Sequence, residues 1–339
     1  MKNSKKKVLF KPTERDLSLL KGLFHCRLLT IEHASKLYFN GSKEAATKRL
    51  RTLDKKYGVI KTKPGKVNEP NIYIFTKSGF RILSEYGKLG RFPHLTWTDQ
   101  MYRRANLSNR NLLHELTVMD VKSALESKIN ELQNFHVIEY GTWPKLYQFQ
   151  ASCNISDKQS YKKKVIKIAQ PDGFLRVKED DQGNPTIIYD CFLEIDKGNE
   201  SLKILINKTD LYSDYYNSGR FASEYGYIGA PKEEFPFRLL FVLDSAERLN
   251  NCCEKLLQER PKRLTLVWFA TLPELLNDPL GKVWIRPIDY YKSVVGTPYE
   301  PSKRPKRKVY IRNPDREQYV SKKVQKWGLF EDPSEFVHN

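Results

Sequence analysis

No Cys-x-x-Cys pair occurs in this chain, and its five cysteines, Cys26, Cys153, Cys191, Cys252 and Cys253, are odd in number. That excludes a zinc ribbon and argues against a secreted disulfide scaffold. The thiols read as reduced groups, several of them core filler, in a cytoplasmic protein. No apolar run approaches the ~20 residues needed to span a bilayer. The basic stretch MKNSKKKVLF is not followed by the apolar core of a secretory signal. A membrane partner is therefore not expected. No internal repeat is present at any plausible period. Acidic residues are scarce, but in one region only: residues 1–110 hold 8 Asp and Glu against 25 Lys and Arg.

That imbalance is the strongest signal in the sequence. The net charge is +19 over 339 residues. Residues 111–300 hold 24 basic against 27 acidic side chains, and residues 301–339 hold 10 against 5, so the first third carries almost all the excess. A compact region this basic repels itself unless a polyanion screens it. Phosphate backbone is the usual partner, through Coulomb attraction and counterion release. Double-stranded DNA is the expected partner.

Local patterns divide the chain into a basic arm (1–12), a small helical domain (13–88), a linker (89–110) with Arg103-Arg104, a larger α/β domain (111–294) and a basic tail (295–339) that contains KRPKRK. Thr13 opens a first helix with Asp16 three residues on, a capping box. Thr30 caps a second, short helix, and Ser42 a third that ends at Gly58. Two short apolar runs, around Val59-Ile60 and 71–75, flank a loop rich in Lys, Pro, Gly and Asn, as in a hairpin. Three helices followed by such a hairpin is the winged helix-turn-helix order. In the third helix Ala46, Leu50 and Leu53 form the core stripe. Lys43, Thr47, Lys48, Arg49, Arg51 and Lys55 are left as candidate DNA contacts, joined by Lys61, Lys63 and Lys66 of the wing.

From residue 111 the pattern changes. A long helix (111–132) is apolar over a wide arc. Strand-type segments follow at about 135–150, 163–178 and 185–197, then a helix at 201–217. A strand (237–243), a helix (246–258), a strand (264–269) and a short helix (272–276) complete a mixed α/β arrangement around a central sheet. In the third strand Glu194 and Asp196 point the same way, one pleat apart. Asp172, at the bend after Pro171, is placed to approach them. Three converging carboxylates repel one another unless a cation neutralises them. Oxygen ligands of this kind suit Mg²⁺ or Mn²⁺, which activate water and steady a phosphodiester under attack. His114 and Glu115 sit on the helix that opens the domain; His114 reads equally as a core histidine or as a site residue. Tyr212, Tyr215 and Tyr216 read as packing or DNA-contacting aromatics, with a covalent nucleophile the lesser alternative.

The layout of helix, strand, strand with Pro171-Asp172 and strand with Glu194 resembles that of PD-(D/E)XK nucleases. The family's lysine falls where this chain has Asp196. Lys197 lies next to it on the opposite face, and Lys203 or Lys208 on the following helix could supply an ammonium. A wider likeness runs through TERDLSLLKGLFHCRLLTIEHASKLYF, ATKRLRTLDKKYGVI, IYIFTKSGFRIL, HELTVMDVKSAL, QPDGFL, FLEIDKG, DLYSDYY, RLLFVLDS and TLVWFATLPELL. In their order these segments resemble the replication-relaxation family of plasmid and integrative-element proteins, related to MOBC-class mobilisation relaxases. The resemblance covers roughly residues 13–286. It implies a winged helix joined to a restriction-endonuclease-like domain, a metal-dependent nickase acting at a plasmid or mobile-element origin, and other relaxosome proteins as further partners. It carries His114, Asp172, Glu194, Asp196 and Lys197 onto the catalytic positions, with Asp172, Glu194 and Asp196 as metal ligands. Two alternatives stay open: a DNA-binding initiator or regulator without cleavage, and an oligomerisation module. A His-hydrophobe-His metal motif, which the other main relaxase chemistry requires, is absent.

Overall fold

Thr13 begins the first helix as the sequence pattern requires. Its hydroxyl accepts from the Asp16 amide, and the Asp16 carboxylate accepts from the Thr13 amide at 2.9 Å. This reciprocal cap satisfies two of the amides that a helix start leaves without partners. The computed structural model describes residues 10–98, 108–156, 162–180, 186–198, 200–259, 266–290 and 324–331. The N-terminal part of the basic arm, Arg103-Arg104 of the linker and the KRPKRK stretch lie outside the described residues. The chain divides into two compact units, Met1–Ser127 with Gly141–Trp143, and Lys128–Tyr140 with Pro144–Asn339.

The first unit runs α1 (Glu14–His25), α2 (Ile31–Tyr38), α3 (Lys43–Thr52), a π-type turn (Leu53–Tyr57), β1 (Ile60–Lys63), β2 (Ile72–Phe75) and α4 (Lys77–Glu85). Thr30 and Ser42 cap α2 and α3 through their hydroxyls. Gly58 stops the third helix at φ +63°, a left-handed conformation that costs glycine least. β1 and β2 pair antiparallel with Ile60 opposite Phe75. The core is local in origin: Leu17, Leu20, Leu23 and Phe24 of α1 are buried, as are Ala46 and Leu50 of α3 and Leu53 just after it. Each fully buried side chain of this size contributes roughly 1.5–3 kcal/mol relative to exposure.

The long helix α5 (Asn109–Ile129) lies almost wholly within this first unit, not at the head of the second, which moves the expected boundary at residue 111. An ion pair and a hydrogen bond explain the grouping. The Arg27 guanidinium lies 2.6 Å from Glu115, and His33 Nε2 lies 2.8 Å from Asp120. His33 Nδ1 accepts from the Thr30 amide, so the ring proton sits on Nε2 and is donated to Asp120.

The second unit contains a five-stranded mixed sheet in the order β3-β6-β7-β8-β9. Its strands are β3 (Phe135–Gly141), β6 (Gly173–Glu179), β7 (Ile187–Asp196), β8 (Phe237–Leu243) and β9 (Val267–Thr271). β6 and β7 are antiparallel, whereas β7, β8 and β9 run parallel. β8 is buried along its whole length, as a parallel strand covered on both faces must be. The helices are α6 (Leu202–Asn217), α7 (Arg220–Tyr225), α8 (Ala246–Glu259) and α9 (Leu272–Asn277). Two expected strands are each split. β4 (Phe149–Ser156) and β5 (Lys162–Ala169) leave the central sheet and pair only with each other. The break between β5 and β6 falls at Gln170-Pro171-Asp172, where proline has no amide to give a ladder.

A piece of the basic tail packs on the second unit. The Arg238 guanidinium donates to the carbonyls of Leu329 and Glu331, Trp327 Nε1 donates to Asp289 at 2.7 Å, and Phe330 stacks on Phe135.

Candidate functional site

Two sets of charged side chains are relevant, one in each unit. In the first unit α3 sorts its residues by face. Lys43, Thr47, Lys48, Arg51 and Lys55 are exposed, and so are Lys61 and Lys66 of the hairpin, while Lys63 is half-buried. Lys43 pairs with Glu32 at 2.6 Å, an exposed contact of the kind worth well under 1 kcal/mol. Val67, at the hairpin tip, is 90% exposed.

Arg49 is the exception and corrects the sequence expectation. Its Nε lies 2.7 Å from Asp16 Oδ1, and its Nη2 binds the other oxygen. Asp16 is buried within the α1 cap. Burial alone would raise its carboxyl, but the hydrogen bonds from Arg49 and Thr13 outweigh that and hold it below the usual carboxylate range. Arg49, half-buried, therefore joins α3 to α1 and its charge is committed to Asp16. The spacing carried this signal: Ala46, Arg49, Leu50 and Leu53 lie on one helical stripe at i, i+3, i+4 and i+7.

In the second unit β7 presents Phe192, Glu194 and Asp196 toward α6 and α8. Phe192 packs on Tyr212 of α6, Glu194 receives a 2.5 Å hydrogen bond from the Tyr212 hydroxyl, and Asp196 meets Arg248 of α8. The opposite face carries Tyr189, against Arg238 and Phe330. The alternation read from the sequence is the one found.

The three acids nevertheless do not form one cluster. Asp172 Oδ2 accepts from the Ile195 amide at 2.8 Å, which pins the β6 entrance to the end of β7 and sets its charge beside Glu194. Glu194 is buried and bound by Lys208 Nζ at 2.9 Å. Asp196 is held elsewhere: Arg248 Nε lies 2.6 Å from Oδ2, and the Glu200 amide donates to Oδ1 at 3.3 Å. Gly198, at φ +77°, turns the chain out of β7 so tightly that a Cβ there would sit 2.8 Å from Asp244.

Burial pushes the Glu194 carboxyl up to about 7, with the Lys208 ammonium pulling it down and the Asp172 charge pushing it up. Lys208 keeps its proton. Burial works against its charge, but Glu194, Asp172 and Glu200 outweigh that and raise it above the ordinary lysine value. Tyr212 is fully buried and driven well above its ordinary value by burial and by Glu194, so it remains a phenol that donates to the carboxylate.

These observations decide whether a divalent cation fits. Among the described residues no group of three His, Cys, Asp or Glu is arranged to hold one. The ligand set expected from Asp172, Glu194 and Asp196 fails because Arg248 takes Asp196 and Lys208 already balances Glu194. Of the lysines considered, Lys208 and not Lys203 reaches Glu194, and Lys197 follows the end of β7 half-exposed. His114 is half-buried on α5 in the first unit, whereas the acid pair is built within the second. Tyr212 and Tyr215 are core aromatics: Tyr215 stacks on Phe149 at 4.0 Å and donates to Glu224. Arg248 was missed in the sequence, since nothing local links it to an acid 52 positions earlier.

Among the described residues no helix is long and apolar enough to cross a membrane. No curated protein and no solved structure matched the chain. The family model described as replication-relaxation matches residues 20–230, more than half of the chain and both the α3 face and the Glu194–Lys208 pair, so the chain belongs to the replication-relaxation family.

Proposed function

We propose that this chain is a duplex-DNA-binding protein acting in replication or mobilisation of a plasmid or mobile element, and that its first unit is a winged helix. Family membership supports the setting. The observation that carries the reading is the sorting of α3, with its apolar stripe in the core and Lys48 and Arg51 exposed on the outside, followed by exposed Lys55 in the π-type turn. A helix of this width enters the major groove, where Arg and Lys meet base edges and phosphates. The β1–β2 hairpin adds Lys61 and Lys66 as backbone contacts. Replacing Lys48 and Arg51 together by Ala should weaken binding to a duplex about tenfold and lower the slope of affinity against salt by about 2. Unchanged affinity and slope would remove α3 from the interface.

Strand nicking is a second reading, favoured by one observation. Lys208 delivers an ammonium to Glu194 beside Asp172, which restores a lysine to the PD…E pattern from the following helix. Both Asp172 and Lys208 are partly exposed, so a phosphate could approach them. Supercoiled plasmid incubated with the protein in Mg²⁺ or Mn²⁺ tests it. Nicking that disappears in Asp172→Ala with Glu194→Ala supports the reading, and nicking that survives places the chemistry elsewhere. No nicking at all leaves a DNA-binding protein on a nuclease-like scaffold.

A further inference from the structure

The cations of α3 are not equally available. Lys43 pairs with Glu32, and Arg49 with Asp16. Among the described residues no carboxylate pairs with Lys48 or Arg51. Lys48 also borders an open groove of about 660 Å³ between the start of α1 and α3. Its lining includes Arg15, Phe39, Ala45, Lys48, Arg49 and Thr52. The four from α3, Ala45, Lys48, Arg49 and Thr52, follow one helical stripe at i, i+3, i+4 and i+7. Arg51 lies off that stripe.

The groove is cationic on both sides and narrow in side chain at its middle. Arg15 enters from α1, exposed, with its guanidinium 5.4 Å from the centre of the Phe39 ring. Among the described residues it too has no carboxylate partner. Ala45 is exposed and contributes only a methyl group. Thr52 spends its hydroxyl proton on the Lys48 carbonyl at 2.9 Å. The two acids at the groove are already answered: Arg49 holds Asp16, and Glu14 lies 3.6 Å from Lys88. The uncommitted charge is therefore one cation from each helix, Arg15 and Lys48.

We propose that this groove seats one sugar-phosphate strand of the duplex whose major groove receives α3, with Arg15 and Lys48 binding its phosphates from either side. The occupant is chosen by charge complementarity, and the choice of duplex rests on the DNA-binding reading of α3. A helix seated in the major groove has a ridge of phosphates on each side of it, so a concave cationic surface beside the helix faces such a ridge. Ala45 keeps the strand's path open, since a longer side chain there would occupy it. Arg15 becomes a backbone-positioning contact outside the recognition helix.

The test uses the full chain and a duplex of unbiased sequence over a range of KCl concentrations. Arg15→Gln should weaken binding several-fold at low salt and lower the salt slope by about 0.9, the share of one phosphate contact. Arg15→Lys keeps the charge and should keep the slope. Ala45→Leu changes no charge but fills the groove, and should weaken binding about tenfold or more; Arg15→Gln serves alone if that variant does not fold. An Arg15→Gln slope equal to wild type overturns the groove, whatever Ala45→Leu does. If Arg51→Ala weakens binding in the same assay, the DNA-binding reading of α3 stands without the groove. If Arg15→Gln, Ala45→Leu and Arg51→Ala all bind normally, both fall. If Ala45→Leu converts a dimer to a monomer in sedimentation and keeps its DNA affinity, the groove joins copies of the chain and the proposal is overturned.

Discussion

The two units use charge in opposite ways. In the first, cations face solvent along α3 and the hairpin, with one half-buried arginine committed to a buried acid of the α1 cap. In the second, the acids of β7 are drawn inside and cations come to them, Lys208 to Glu194 and Arg248 to Asp196. An exposed charge costs little to keep and is available to a polyanion. A buried charge is tolerated only with a partner in good geometry, and that partner is then committed. The charges that serve function and those that serve the fold therefore cannot be separated by residue type. Arg49 and Arg51 are two positions apart and fall on opposite sides of that division.

The sharpest way to break the comparison is Arg248→Ala. It leaves Asp196 buried without its cation and should destabilise the second unit by about 3–5 kcal/mol. Because two units are present, the second unit's own transition should be followed in urea rather than a single global midpoint. A loss under about 1 kcal/mol would mean that water reaches Asp196 freely.

Next comes the neighbouring arginine pair. Arg49→Ala should cost the first unit about 2–4 kcal/mol. Arg51→Ala should leave stability within about 0.5 kcal/mol and lower the salt slope of duplex binding by about 1. If the two effects were exchanged between the two residues, the sorting of α3 described above would be wrong.

The last contrast is in pH dependence, and its sign differs between the units. Glu194, raised to about 7 by burial, retains in the folded state a proton that the unfolded chain releases near 4.5. The second unit should therefore lose stability as pH rises from about 4.5 to 7, and Glu194→Gln should flatten that slope. Asp16 is lowered, so its contribution is present above the unfolded value of 3.8 and is lost as pH falls below it. Unfolding of each unit across pH 3–8 would show slopes of opposite sign, and a Glu194→Gln profile parallel to wild type would discount Glu194 as the source.

Much of the first unit was legible. Thr13, Thr30 and Ser42 cap the helices they were expected to cap, Gly58 ends the third, and the hairpin pairs where the two apolar runs lie. These are signals carried within a few residues. The second unit was less legible. Two long strand segments were read through their interruptions at Pro144 and Pro171, which hid a separate hairpin and its local charge. The charge of β5 vanished in an average over nearly two hundred residues. The site was read halfway. The alternation of β7 correctly put Glu194 and Asp196 on one face, but proximity along a strand says nothing of what packs over it.

The sequence alone determined the helical caps, the alternating faces of the strands and the concentration of cations before residue 110, because each depends on neighbours a few bonds away. Tertiary structure alone decided that Arg49 turns inward to Asp16, that Arg248 removes Asp196 from the acid group, and that Lys208 is the ammonium beside Glu194. Those pairings join segments 14 to 52 positions apart. Which cation relieves a buried carboxylate is settled by the packing that buries it.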